Sequence, residues 1–123
     1  MPNPMPEPVI IRVFDVVGTP LCVSSADGQL VYDKLAPLLR EGRQVAISFA
    51  QVETLISAFL NTAIGQIYGE LSEERVRELL SIRDMLPEDV ALLKRVVENA
   101  KAYFRDPERF KRVTEQEGDH DSE

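Results

Sequence analysis

Apolar residues come in short runs separated by glycine, proline or charged residues. The run over residues 9–17, VIIRVFDVV, is rich in β-branched side chains and ends at Gly18-Thr19-Pro20, which predicts a strand followed by a turn. Residues 21–23 predict a second, shorter extended segment, and residues 45–49, VAISF, are the clearest candidate for a buried strand. A fourth strand is predicted at residues 79–83, after a brief turn that begins at Ser72-Glu73-Glu74.

Three longer segments repeat their apolar residues with the period of an α-helix. The first begins with Ser24 or Ser25 as its cap and ends at residues 41–42, and Gly28 and Pro37 are expected to weaken or bend it. The second begins at Ser57 and ends near residues 69–71. The third opens with Pro-Glu-Asp at residues 87–89, which suits a first helical turn, and continues to about residue 104.

Strands that alternate with helices predict an α/β fold, here a mixed or mostly parallel sheet of about four strands packed against about three helices. The length of 123 residues suits one domain. We assign residues 9–113 to this domain. Residues 1–8, MPNPMPEP, are expected to form a proline-rich extended lead-in, and residues 114–123 an acidic, disordered tail.

The net charge of −7 is concentrated near the end of the chain. Residues 114–123 hold five acids and no Lys or Arg, so residues 1–113 carry a net charge of only −2. A direct nucleic-acid partner is not expected, because no basic face is evident. We expect a cytoplasmic protein that does not enter membranes, since the sequence shows no signal peptide and no apolar run of about 18 residues, and Cys22 is its single cysteine.

No residue pattern is typical of catalysis, of a metal site or of a cofactor site. The single histidine, His120, lies in the acidic tail, and the paired acids Glu73-Glu74 and Glu88-Asp89 suit the first turns of helices. Gly65 and Gly69 form no phosphate-binding motif and are expected to permit close packing. We therefore expect a protein that is not an enzyme and binds no cofactor or metal.

The run over residues 41–71, EGRQVAISFAQVETLISAFLNTAIGQIYGEL, resembles the STAS-like domains of unknown function that occur in bacterial proteins. The broader resemblance extends over about residues 9–104. It implies a STAS-like fold and a regulatory role through protein binding. The residues that carry it are Val45, Ile47, Phe49, Val52, Ser57, Phe59, Leu60 and Gly65.

The wider STAS family includes the anti-sigma-factor antagonists. In them an Asp-Ser-Ser-Gly-Leu turn opens the corresponding helix, and an ATP-binding kinase partner phosphorylates one serine. This chain reads Ile56-Ser57-Ala58-Phe59-Leu60, so it keeps one serine and has alanine at the usual acceptor position. The resemblance implies a protein partner of the ATP-binding, histidine-kinase-like type in transcriptional, stress or defence regulation. Ser57 is then a helix cap, the interpretation that we favour, or a phosphorylated switch.

Thr54 and Asn61 join Ser57 as candidate regulatory or partner-binding residues. Two other hypotheses keep the same fold. In one, the helix that starts at Ser57 binds a small ligand or an anion at its N-terminus, and the protein is a sensor. In the other, the protein is a structural subunit that self-associates, for example as a homodimer, through a second apolar line on the third helix. That line consists of Leu92, Val96 and Tyr103.

Overall fold

A computed structural model describes residues 7–105 of the chain. Residues 1–6 of the predicted lead-in, the predicted end of the domain at residue 113 and the predicted acidic tail at residues 114–123 lie outside the described residues.

Five β-strands, five α-helices and one 3₁₀ helix lie between residues 7 and 105. The strands are β1 (Val9–Arg12), β2 (Leu21–Cys22), β3 (Val45–Ser48), β4 (Thr54–Leu55) and β5 (Leu80–Arg83). The α-helices are α1 (Val13–Val17), α2 (Ser25–Arg40), α3 (Ser57–Ala63), α4 (Glu73–Leu79) and α5 (Pro87–Arg105). The 3₁₀ helix spans Gly65–Gly69.

The main sheet has three strands in the order β1-β3-β5, and both neighbouring pairs are parallel. Val45 and Ile47 of the central strand join the hydrophobic core, whereas Ala46 and Ser48 alternate to the opposite face. β2 and β4 form a second, two-stranded parallel sheet. Parallel strands joined through helices confirm the predicted α/β class.

The helices bury their apolar faces against one another and against one face of the main sheet. α2 packs on α3, and α5 packs on α3 and the 3₁₀ helix. α2 continues through both Gly28 and Pro37, and Gly28 lies where α2 and α3 approach most closely. A Cβ added at Gly28 would lie 2.5 Å from the carbonyl oxygen of Phe59, so only glycine allows this approach.

The prediction of one strand over residues 9–17 is wrong after Arg12, because α1 begins at Val13. Val13 is buried and Val16 and Val17 pack against the core, which is the i, i+3, i+4 spacing of a helix. Gly18 ends the helix in the left-handed conformation, and its N–H donates to the carbonyl oxygen of Phe14 at 2.8 Å. Packing against the core therefore overrides the preference of valine for strands.

The turn predicted at Ser72-Glu73-Glu74 is the start of a helix, α4. The Ser72 hydroxyl accepts a hydrogen bond from the backbone N–H of Arg75 at 3.1 Å, and Val76 and Leu79 are buried one turn apart. The strand predicted after it is confirmed as β5.

The helix predicted from Ser57 to about residue 70 is divided. α3 ends at Ala63, and beyond Ile64 the chain continues as the 3₁₀ helix. Glycine at both ends of the 3₁₀ segment lowers the preference for an α-helix, and the tighter turn keeps Ile67 fully buried. β4 was not predicted, because two residues are too few to show a period.

Candidate functional site

The two-stranded sheet exposes a largely apolar face. Along both strands the residues alternate between exposed and buried: Cys22 and Leu55 point into the core, and their neighbours on each side point outward. We call the four outward residues the β2–β4 outer face. They are Leu21, Val23, Thr54 and Ile56. The three aliphatic members are 46%, 44% and 38% exposed in chain order, and a cluster of this kind is a mark of an interaction surface.

Ser57 follows the outer face directly and is exposed, but the prediction that it caps the helix is wrong. The N-cap is Ile56, which has extended backbone angles and makes no side-chain cap hydrogen bond. Its carbonyl oxygen accepts the first helical hydrogen bond, from the N–H of Leu60 at 3.3 Å. Ser57 is therefore the first helical residue, and the cap position before it has no polar side chain.

The structure places Thr54 and Ser57 at one end of the same short segment, while Asn61 lies a turn further along α3. Asn61 lines a groove of about 310 Å³ between α3, the 3₁₀ helix and α5. The groove is lined by Asn61, Gly65, Gln66, Asn99, Ala100, Tyr103 and Phe104. The three candidate regulatory residues thus lie in two places rather than at one site.

The apolar line predicted on the third helix is not an external surface along its whole length. Val96 is only 2% exposed and belongs to the core, and Leu92 is half-buried against the core. Tyr103 is 38% exposed and also lines the groove. Val96 was placed outside because the width of an apolar face does not say which part another helix covers. Self-association through α5 stays a prediction, without an exposed Val96.

A polar cluster that the sequence did not predict joins α2 to the end of the 3₁₀ helix. Arg40 Nη2 donates to Glu70 Oε1 at 2.6 Å, and the Tyr32 hydroxyl donates to Glu70 Oε2 at 2.7 Å. Hydrogen bonds from Arg40 first and Tyr32 second lower the pKa of the Glu70 carboxyl from its ordinary value. Tyr32 and Arg40 lie eight residues apart in α2, but nothing in the sequence connects them to Glu70.

A second polar contact lies at the carboxyl end of the main sheet. The Ser48 hydroxyl donates to Asp84 Oδ2 at 2.7 Å and accepts from the N–H of Ala50 at 3.3 Å. Asp84 and Gln51 have positive φ angles of 60° and 69°. The Ser48 hydrogen bond fixes the turn that follows β5 and so sets where α5 begins.

The chemistry that the described residues present is limited. Burial, with a smaller contribution from Asp27, raises the pKa of the Cys22 thiol to about 11, as suits a thiol packed in the core. Between residues 7 and 105, no three His, Cys, Asp or Glu side chains gather where they could hold a metal ion. Over the same range, no helix is both long and apolar enough to cross a membrane.

The parallel sheet, the helices packed on one of its faces and the exposed apolar face define an α/β domain with a surface for interaction. Residues 27–90, from the first turn of α2 to the first turn of α5, match the family model described as a STAS-like domain of unknown function (DUF4325). The match covers more than half of the chain, and the chain belongs to this family. The resemblance inferred from the sequence is confirmed. No match was found among curated proteins or solved structures.

Proposed function

We propose that this chain is a non-enzymatic regulatory module that binds a protein partner in the cytoplasm. The partner docks on the β2–β4 outer face and the start of α3. The observation that carries this proposal is the exposure of Leu21, Val23 and Ile56 side by side on two paired strands. Water is a poor environment for such a cluster, and burying it against a partner is favourable.

The composition of this surface resembles that of a protein interface. Aliphatic side chains form its centre, and the hydroxyls of Thr54 and Ser57 lie beside them as polar groups that can hydrogen-bond across a rim. Fully burying an aliphatic side chain contributes about 1.5–3 kcal/mol. These residues are already substantially buried, so a partner gains only part of this at each one.

The STAS resemblance makes an ATP-binding, histidine-kinase-like protein the partner that we propose, in transcriptional, stress or defence regulation. Phosphorylation of Ser57 would add a charge of about −1.5 to −2 directly beside Ile56. A charge there opposes burial of the apolar face, because the phosphate would have to lose its hydration. Ser57 would then release the partner when phosphorylated, without acting as a helix cap.

Two leucines with the same exposure provide a matched test. Leu21, on the outer face, and Leu30, on α2, are both 46% exposed. We expect the wild-type protein and Leu30→Lys to capture the same ATP-binding protein from extracts of the native cells, identified by mass spectrometry. Leu21→Lys and Ile56→Lys should lose it, because lysine places a charge within the contact.

A second pair of variants tests Ser57. Ser57→Glu is expected to weaken capture, and Ser57→Ala to retain it. Equal capture by Leu21→Lys and Leu30→Lys, both folded by circular dichroism, would remove the outer face from the proposal. Failure of the wild-type protein to capture any partner would contradict the function itself.

A further inference from the structure

The groove between α3, the 3₁₀ helix and α5 has small residues at its base. Gly65 and Ala100 come from the two sides, and a Cβ added at Gly65 would lie 3.7 Å from the Cβ of Ala100. Larger side chains surround these two residues. The resulting volume of about 310 Å³ is at the lower end of the range for small-molecule sites.

Three carboxamide side chains line the groove. The side chains of Asn61 and Asn99 are exposed and make no hydrogen bond to any residue between 7 and 105. Gln66 Nε2 donates to the carbonyl oxygen of Thr62 at 2.8 Å and to Gln29 Oε1 at 3.2 Å. These two bonds hold the Gln66 amide in place and leave its carbonyl oxygen available as an acceptor. The groove therefore offers both donors and acceptors.

Two aromatic rings form another wall. Tyr103 and Phe104 have ring centroids 4.9 Å apart and an interplanar angle of 72°. The Phe104 ring lies against the backbone of Gly69, where an added Cβ would be 2.6 Å from Cε1. Gly69 thus provides the space that this ring occupies, and a flat ring offers a surface on which another flat ring can stack.

No charged side chain is among the described residues that line the groove. The charges lie in a neighbouring cavity of about 180 Å³ that shares Phe104 with it. There Glu73 pairs with Lys101 at 3.2 Å and with Arg105 at 3.9 Å. An ion entering the groove would lose hydration without a side chain of opposite charge among those lining residues, whereas a neutral molecule has less to lose.

We propose that this groove binds a small, neutral, planar heteroaromatic molecule with hydrogen-bond donors and acceptors at its edge. Its ring stacks on Phe104 or Tyr103, and its edge meets the amides of Asn61, Asn99 and Gln66. The site is separate from the β2–β4 outer face and does not depend on the proposed protein partner. It also differs from the predicted sensor, which used the helix start at Ser57.

Nicotinamide and nicotinate form a suitable pair of probes, because they share one shape and differ in charge. We expect nicotinamide to shift the side-chain NH₂ signals of Asn61 and Asn99 in ¹H–¹⁵N spectra, saturably and with a dissociation constant of about 1 mM. Nicotinate should bind at least about tenfold more weakly, because its carboxylate must be desolvated. Equal binding of both probes, or no saturable shift with nicotinamide, would overturn the proposal.

Substitutions locate the site. Asn61→Leu and Asn99→Leu keep side-chain size and remove the amide, so each should weaken nicotinamide binding by about tenfold. Gly65→Ala should also weaken it, because a methyl group occupies the base without a close contact. Gln44→Leu, which removes an amide outside the groove, is the control and should bind as the wild type does. Unchanged binding in folded Asn61→Leu and Asn99→Leu proteins would contradict the assignment.

Discussion

Ser24 and Ser57 both lie next to the start of a helix, but their side chains differ in role. The Ser24 hydroxyl accepts from the backbone N–H of Asp27 at 3.1 Å and caps α2. Ser57 lies one position later, inside its helix, and Ile56 occupies the cap position. The difference is one residue in register, which decides whether a hydroxyl can reach an unpaired N–H.

Alanine at these two positions should therefore have different effects. We expect Ser24→Ala to lower the free energy of unfolding by about 1 kcal/mol, because one N–H of the first turn loses its acceptor. Ser57→Ala should change it by less than about 0.5 kcal/mol. Urea unfolding of the two variants and the wild type measures both values. An equal loss in both would show that Ser57 does cap α3.

At the scale of elements, the contact between α2 and α3 depends on Gly28. A helix interior ordinarily favours alanine over glycine by about 1 kcal/mol. Here the added methyl group would lie 2.5 Å from a backbone oxygen and 3.1 Å from Thr62 Cβ. The backbone cannot move aside as easily as the end of a flexible side chain, so the two helices must separate.

Gly28→Ala is expected to destabilise the protein by about 1–3 kcal/mol, in the range of overpacked cores. Gly65→Ala is the matched control, because Gly65 is also buried but its added Cβ has no neighbour closer than 3.7 Å. It should be neutral or slightly stabilising. Thermal unfolding compares the two variants. A Gly28→Ala protein as stable as Gly65→Ala would mean that α2 and α3 are not held at this distance.

At the scale of the whole molecule, few polar contacts join distant parts of the chain. The Tyr32, Arg40 and Glu70 cluster is one of them, since it joins α2 to the end of the 3₁₀ helix. The pKa of Glu70 is lower in the folded protein than its ordinary value of 4.5. The ionised carboxylate is therefore favoured by folding, and its contribution to stability is present above the unfolded pKa.

This contribution should disappear as the pH falls through the folded pKa of Glu70. We expect Glu70→Gln to be less stable than the wild type at about pH 7 and nearly as stable at about pH 3. Glu78→Gln is the control, because Glu78 pairs only with Arg75 of its own helix, at 3.5 Å. Urea midpoints across this pH range give the comparison. A Glu70→Gln difference that does not change with pH would exclude this role for ionisation.

The sequence by itself determined the α/β class, the family, three of the five strands near their true positions and the long helices α2 and α5. These elements carry strong local signals: the apolar run of β3, the serine cap of α2 and the proline with two acids that opens α5. Ser57 and Thr54 were placed beside the outer face, although the face itself was not foreseen. Local signals suffice where periodicity and capping residues agree.

Only the tertiary structure decided the remainder. The switch from strand to helix at Val13 depends on which side chains the core accepts, and the pairing of β4 with β2 joins segments about 30 residues apart. Val96 is buried because α5 packs on α3 and the 3₁₀ helix. The groove brings Asn61 and Asn99 together for the same reason. The physical cause is common to these cases: burial and side-chain contacts are set by residues distant in sequence, and no local pattern encodes them.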